Sequence, residues 1–366
     1  MTVTGPKVRD FTGSPGRLPV EIVVDPVFEL LLNIFVWASH ENPDSDAEYA
    51  VGDEWFAGVR AAASPELLGM LERFTSIDEL WIGVVGLAYG LPEPRSAASL
   101  VAYLRTSDPI ALRRQLIVAG CAMCRADDHA DLADRAAAGD GDAIDAIATM
   151  DGCKLTPNLR DLLVMEPAAT MELIAAAIEA FDRDVFKGGV EMAEILNRDA
   201  DHKRLMARSM EPHQLVEVAT NGITFTMQPE VDGVVLIPSI VIRPWVTIAE
   251  SGRQRLFCYP VAEEHLTADP DAPPSWMVGV YRALGDERRL RLLRILSEGP
   301  ASLADITARV DLSKSTVHHH LSVLRQAGLV RITVGGDKEY SLRRETVPEI
   351  GRLLDGFLTQ PTRERS

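Results

Sequence analysis

Cysteine is scarce. Four residues in a chain of 366 cannot supply the disulfide framework of a secreted scaffold, and a reducing, cytoplasmic setting is expected. Long apolar runs are missing too: none reaches the ~18 residues that a membrane-spanning helix needs. The nearest, VFELLLNIFVW from Val27, carries Glu29 and Asn33 and has no basic leader or cleavage site. It reads as a buried helix, not a signal peptide, and no membrane partner is expected. Also absent are a glycine-rich phosphate loop, Gly-x-Ser-x-Gly and His-Glu-x-x-His. GLAYG, at Gly86–Gly90, has neither lysine nor serine at the needed offset. Catalytic groups need not be sequence neighbours, so an enzyme, or a small-molecule-binding domain, stays as an alternative with no motif behind it. No internal repeat is present.

What is present is an ordinary globular composition, 46% hydrophobic and 25% charged, in a chain long enough for two domains. The net charge of −17 is unevenly placed: from Val278 onward there are 15 Lys+Arg against 11 Asp+Glu, and before it 22 against 43. An acidic body of net −21 therefore carries a mildly basic C-terminal piece of net +4, the split expected when one part alone approaches a polyanion. The acidic body is expected to hang away from that polyanion.

Residues 1–16, rich in Gly, Pro and Thr, read as a flexible tail, and LPVEIVV after them as a strand. Helix starts then recur as a cap-like residue followed by proline: Asp25-Pro26, Ser64-Pro65, Asp108-Pro109 and Thr156-Pro157. Residues 20–220 are expected to be mostly helical. GITFTM, GVVLIPSIVIRPWVTIA and RQRLFCYPV, β-branched and broken at Asp232-Gly233 and Ser251-Gly252, predict a small antiparallel sheet. The fold class is thus α+β: an N-terminal domain over 17–268, a Pro/Asp linker over 269–277, a second domain over 278–358, and a flexible tail over 359–366.

The second domain carries the specific signals. Asp286 is placed to cap a helix whose apolar stripe is Leu290, Leu293 and Leu296, stopped by Gly299-Pro300. Ser302, with Asp305 three residues on, caps a short second helix. Ser313 caps a third that runs to Ala327 and ends at Gly328. LVRITVGGDKEYSL reads as a hairpin around Gly335-Gly336-Asp337, and the amphipathic TVPEIGRLLDGFL follows. Helix, helix-turn-helix, wing and helix, in that order, make a winged helix-turn-helix. ALGDERRLRLLRIL, SKSTVHHHLSVLRQAGLV and the glycine-tipped wing ending in EYSL resemble the ArsR-type winged-helix transcriptional repressors. The longer N-terminal part resembles the helical extension of large ArsR-like regulators.

Three consecutive histidines, 318–320, stand in that third helix. Neighbours turn about 100° apart, so the three cannot converge on one ion. Val317, His320, Leu321 and Leu324 share the inward stripe, which makes His320 a packed structural histidine. The opposite side carries Ser315, His319, Ser322 and Gln326, with Thr316 and His318 flanking. The N-terminal half of a recognition helix meets base edges, so Lys314, Ser315, Thr316, His318, His319 and Ser322 are the candidate DNA-reading residues. Arg331 and Lys338 of the wing are the candidate phosphate contacts.

The resemblance also implies metal sites that this sequence lacks. The paired cysteines of many ArsR sensors correspond to Ser302 and Ala304, and the last helix has no histidine for the alternative Asp/His site. Cys121 and Cys124 share a helical face, with His129 and Cys153 further on, but the set is incomplete and reads as core cysteine. ADDHADLAD reads as a solvated acidic helix end. No metal, cofactor or catalytic residue is expected. The sequence points to a cytoplasmic regulator, acting as a homodimer on palindromic double-stranded DNA and answering to an unidentified small-molecule or protein effector. A winged helix that contacts protein instead of DNA is the third reading.

Overall fold

A computed structural model describes residues 19–42, 49–75, 77–120, 129–148, 157–225, 228–266, 275–334 and 338–344, with positions 350, 351 and 354. Both expected tails, the linker core at 267–274, Cys121, Cys124, Cys153, Thr156, the glycine wing tip and most of the last helix lie outside the described residues.

The chain opens with strand β1 (Val20–Ile22) and continues through helices α1 (Pro26–His40), α2 (Gly52–Ala62), α3 (Pro65–Glu72), α4 (Asp78–Tyr89) and α5 (Ala97–Thr106). Next come α6 (Pro109–Gly120), α7 (Ala130–Ala137), α8 (Gly141–Ala148), α9 (Pro157–Val164) and α10 (Pro167–Phe181). Then follow α11 (Val190–Met206), α12 (Pro212–Ala219) and strands β2 (Ile223–Phe225), β3 (Gly233–Ser239), β4 (Thr247–Ser251) and β5 (Gln254–Pro260).

The proline-led starts hold wherever they are described, with one change of role. Ser64 accepts the Leu67 amide at 3.2 Å and Asp108 that of Ile110 at 3.0 Å. Asp25 makes no cap bond and instead pairs with the buried Arg95 at 3.0 Å. Helix α1 is buried along nearly its whole length, which is why its sequence is apolar on every side. It packs on α4 and α10, and with α5 and one face of the sheet it forms the main core. Gly86 lets α4 reach the sheet: a Cβ there would sit 2.1 Å from the Glu250 carbonyl oxygen of β4.

The sheet differs from the antiparallel one expected. Its order is β1-β3-β5-β4; β3 runs parallel to both β1 and β5, and β4 alone is antiparallel, joined to β5 through Ser251-Gly252. Burial on both faces explains the near-continuous apolar run of β3. Val235, Ile237, Leu256 and Cys258 face the main core, while Val234, Leu236, Phe257 and Tyr259 face a second core under α12. The Ile223–Phe225 strand, expected in this sheet, is not part of it.

The C-terminal unit contains α13 (Ser275–Leu284), α14 (Glu287–Leu296), β6 (Ala301–Ser302), α15 (Leu303–Ala308), α16 (Lys314–Gln326), β7 (Val330–Val334) and β8 (Glu339–Leu342). Every expected cap is made: Asp286 to the Arg289 amide at 3.0 Å, Ser302 to that of Asp305 at 3.1 Å, Ser313 to that of Thr316 at 3.2 Å. The α14 stripe is rotated from the expected one. Leu292 and Leu296 are buried, whereas Leu290 is 48% exposed. The wing sheet has the order β2-β7-β8-β6, so β2, which precedes the expected linker in the chain, lies parallel to the outer edge of β7.

Candidate nucleic-acid interface

The reading helix is built from its cap outward. Ser313 Oγ accepts the Thr316 amide and touches the hydroxyls of Ser315 at 2.9 Å and Thr316 at 2.7 Å. Those two side chains are thereby held at the helix mouth. Val317, His320, Leu321 and Leu324 turn inward onto Ala283, Leu292, Leu296 and Ile306. His320 is 7% exposed, as the inward stripe requires, but neither ring nitrogen has a hydrogen-bond partner. It is therefore packed without being satisfied. Burial lowers its pKa from the usual value, and the nearby Asp286 carboxylate only partly opposes this, so the ring is neutral core material.

The sequence-designated readers divide by position. Lys314, Ser315 and His318 are exposed and Thr316 is half-buried, all in the first turns of α16; Lys338 is exposed at the start of β8. Beyond that the N-terminal domain covers the helix. His319 is half-buried, with the Trp245 ring 6.3 Å away and its Nδ1 buried without a partner. Ser322 is 8% exposed. Arg331 donates to Glu217 at 2.7 Å, so a carboxylate already engages its partly exposed guanidinium. Ser322 is thus closed to a duplex, His319 is partly covered, and Arg331 is held by a carboxylate. The acidic domain, expected to hang away from DNA, lies on the reading helix instead.

The sequence reading missed the residues that make this contact. Arg325 is buried, and its Nη1 donates to the Thr220 carbonyl at 2.6 Å, at the C-terminus of α12. Burial pulls its guanidinium pKa down to about 10, with Tyr340 opposing, so it stays charged at neutral pH and meets the negative end of a helix. Asn221 Nδ2 donates to the Gln326 carbonyl, and Arg343 lies 3.8 Å from Glu217. An arginine in the last turn of α16 was the one legible signal; nothing in the sequence marks Glu217, Asn221 or Trp245 as its neighbours.

Among the described residues no group of three or more metal-ligating side chains converges, and no helix is long and apolar enough to cross a membrane. The start of α16 is capped, and Lys314, Ser315 and His318 are exposed on one side of it.

Comparison with known proteins places residues 286–331, from the α14 cap into β7, in the family described as bacterial regulatory protein, arsR family. An uncharacterised HTH-type transcriptional regulator of Methanocaldococcus jannaschii is 32% identical over 78 residues, which is 21% of this chain and 88% of that protein. The transcriptional repressor SdpR of Bacillus subtilis is 33% identical over 54 residues, 15% of this chain and 60% of the repressor. The transcriptional activator HlyU of Vibrio cholerae is 38% identical over 53 residues, 14% of this chain and 49% of the activator. The matched stretches thus span most of the first relative and about half to three-fifths of the other two.

Proposed function

The chain belongs to the arsR family of bacterial regulatory proteins and is a transcriptional regulator of that family; from this premise we propose that it is a sequence-specific, DNA-binding repressor. In this reading it works in the cytoplasm as a homodimer on an imperfect palindrome, and its N-terminal domain is the effector-sensing or dimerisation module. The observation that carries the reading is the exposed, capped start of α16, whose first two turns present Lys314, Ser315 and His318 on a basic domain. Lys314 and His318 would reach base edges, Ser315 and Thr316 the groove wall, and Lys338 a phosphate of the neighbouring strand. A twofold assembly would place two such helices one helical turn, about 34–36 Å, apart. Repression follows as the simplest effect of a dimer seated on a promoter, since occupancy alone excludes polymerase. The relatives carry both signs, a repressor and an activator, so the sign rests on that argument and not on them.

Selection of bound duplexes from a random pool tests the reading. A palindrome with half-sites 10–10.5 bp apart is expected. Lys314→Ala/His318→Ala should flatten base preference, at about 1–3 kcal/mol per lost base contact. Lys338→Ala should weaken all duplexes alike. A pool that enriches nothing would refute DNA reading.

A further inference from the structure

The side of α16 that faces away from the core carries Ser315, His319, Ser322 and Gln326. Only Ser315 at its start is exposed. The Trp245 ring lies 6.3 Å from that of His319 at a tilt of 48°, Ser322 is buried, and the Gln326 carbonyl accepts from Asn221. A helix with its side chains is about 10–12 Å across and the major groove about 12 Å wide. A helix with a protein surface along the C-terminal half of its outer side can offer the groove its start but cannot lie in it at full length.

The wing is held by the same surface. Strand β2 pairs with β7 through Ile223–Ile332, Thr224–Thr333 and Phe225–Val334, which fills the edge that a wing otherwise leaves open. The Ile332 amide donates to the Gly222 carbonyl at 3.0 Å. Gly222 has φ +103°, and a Cβ there would lie 3.1 Å from the Val330 carbonyl oxygen, so the turn is shaped to bring the two backbones together. The charges are those that a phosphate backbone would also use: Glu217 takes Arg331 and draws Arg343, and the C-terminus of α12 takes Arg325.

We propose that the N-terminal domain is an intramolecular competitor of DNA: the end of α12, β2 and Trp245 hold the reading helix and wing closed, and the operator binds only the released form. This rests on the DNA-reading function proposed above. It gives the acidic N-terminal body a defined role, presenting a carboxylate and a helix C-terminus to cations that would otherwise meet phosphates. An effector then acts by binding the released form better than the closed one. When only a fraction of molecules is released, apparent affinity for DNA falls by that fraction.

Full-length wild type, Glu217→Lys and Trp245→Ala are titrated against the selected duplex by fluorescence anisotropy. Amide hydrogen exchange is followed in the same samples. Glu194→Lys, at a position 84% exposed on α11, controls for the added positive charge. Both interface variants are expected to bind at least ~10-fold tighter than wild type. Exchange should rise in β2, β7 and the His319–Gln326 segment while α1 stays protected, and the Glu194 control should gain far less. If exchange rises there and affinity does not, autoinhibition is overturned while DNA reading stands. If neither substitution raises exchange, Glu217 and Trp245 do not hold the contact, and the proposal is equally overturned. If no protein prefers any duplex, the DNA reading falls and the proposal with it.

Discussion

Glu29 is a carboxylate in α1, a helix buried along nearly its whole length, and replacing it with glutamine should stabilise the fold above neutral pH. Its Oε1 accepts the amides of Ile240 and Val241, each at 3.0 Å, and Oε2 is buried without a partner. Those amides begin the turn that leads to Trp245, whose own amide closes on Ile242 at 2.8 Å. Burial pushes the Glu29 pKa from 4.5 up to about 7, with the Ser239 hydroxyl and the two amides opposing. A carboxyl whose folded pKa is raised contributes most below its unfolded value, near 4.5, and that contribution is lost as pH rises through about 7. At about 1.36 kcal/mol per pKa unit the loss between pH 5 and pH 8 is on the order of 2 kcal/mol. Glu29→Gln keeps the acceptor for the turn and has nothing to ionise. Urea unfolding of both proteins at pH 5, 6, 7 and 8 should show a stability difference that grows with pH in favour of the variant. Parallel pH profiles would show that the buried carboxyl carries no such penalty.

Two further outcomes are expected. Asp199, fully buried, accepts from Tyr259 Oη at 2.7 Å, the Ala262 amide at 2.9 Å and Lys203 Nζ at 3.3 Å, pinning α11 to β5. Asp199→Ala leaves a buried lysine charge and should cost about 3–5 kcal/mol, with Asp199→Ala/Lys203→Met recovering much of it; equal loss in both variants by urea unfolding would contradict the pairing. Zinc, cadmium or arsenite at stoichiometric concentration should leave the protein on its selected duplex, because Ser302, at a position where the ArsR resemblance implies a thiolate in metal sensors, serves as a helix cap. Release of wild type, but not of a Cys121→Ser/Cys124→Ser variant, would move a metal sensor into the N-terminal domain.

Local chemistry was legible in the sequence and long-range pairing was not. Ser64, Asp108, Asp286, Ser302 and Ser313 cap the helices they precede because a cap is decided within three residues. The inward set of α16 followed from helical period alone. The α14 stripe went astray because leucines at 290, 292, 293 and 296 fit more than one face. Sheet direction was hidden for a different reason: β3 and β5 are buried on both sides, and an apolar run reads the same whichever way its neighbour points. Least legible was the strand Ile223–Phe225, whose partner in β7 lies more than a hundred residues on. With that pairing unseen, His319, Ser322 and Arg331 read as solvent-facing, and Arg325 was passed over.

Whether this chain reads DNA sequence is decided by a genome-wide footprint of the protein in its own cells. A small set of discrete sites is expected that share a twofold motif with half-sites one helical turn apart, and that are lost with Lys314→Ala/His318→Ala. Diffuse occupancy without a motif, or a footprint unchanged in that variant, would contradict DNA reading.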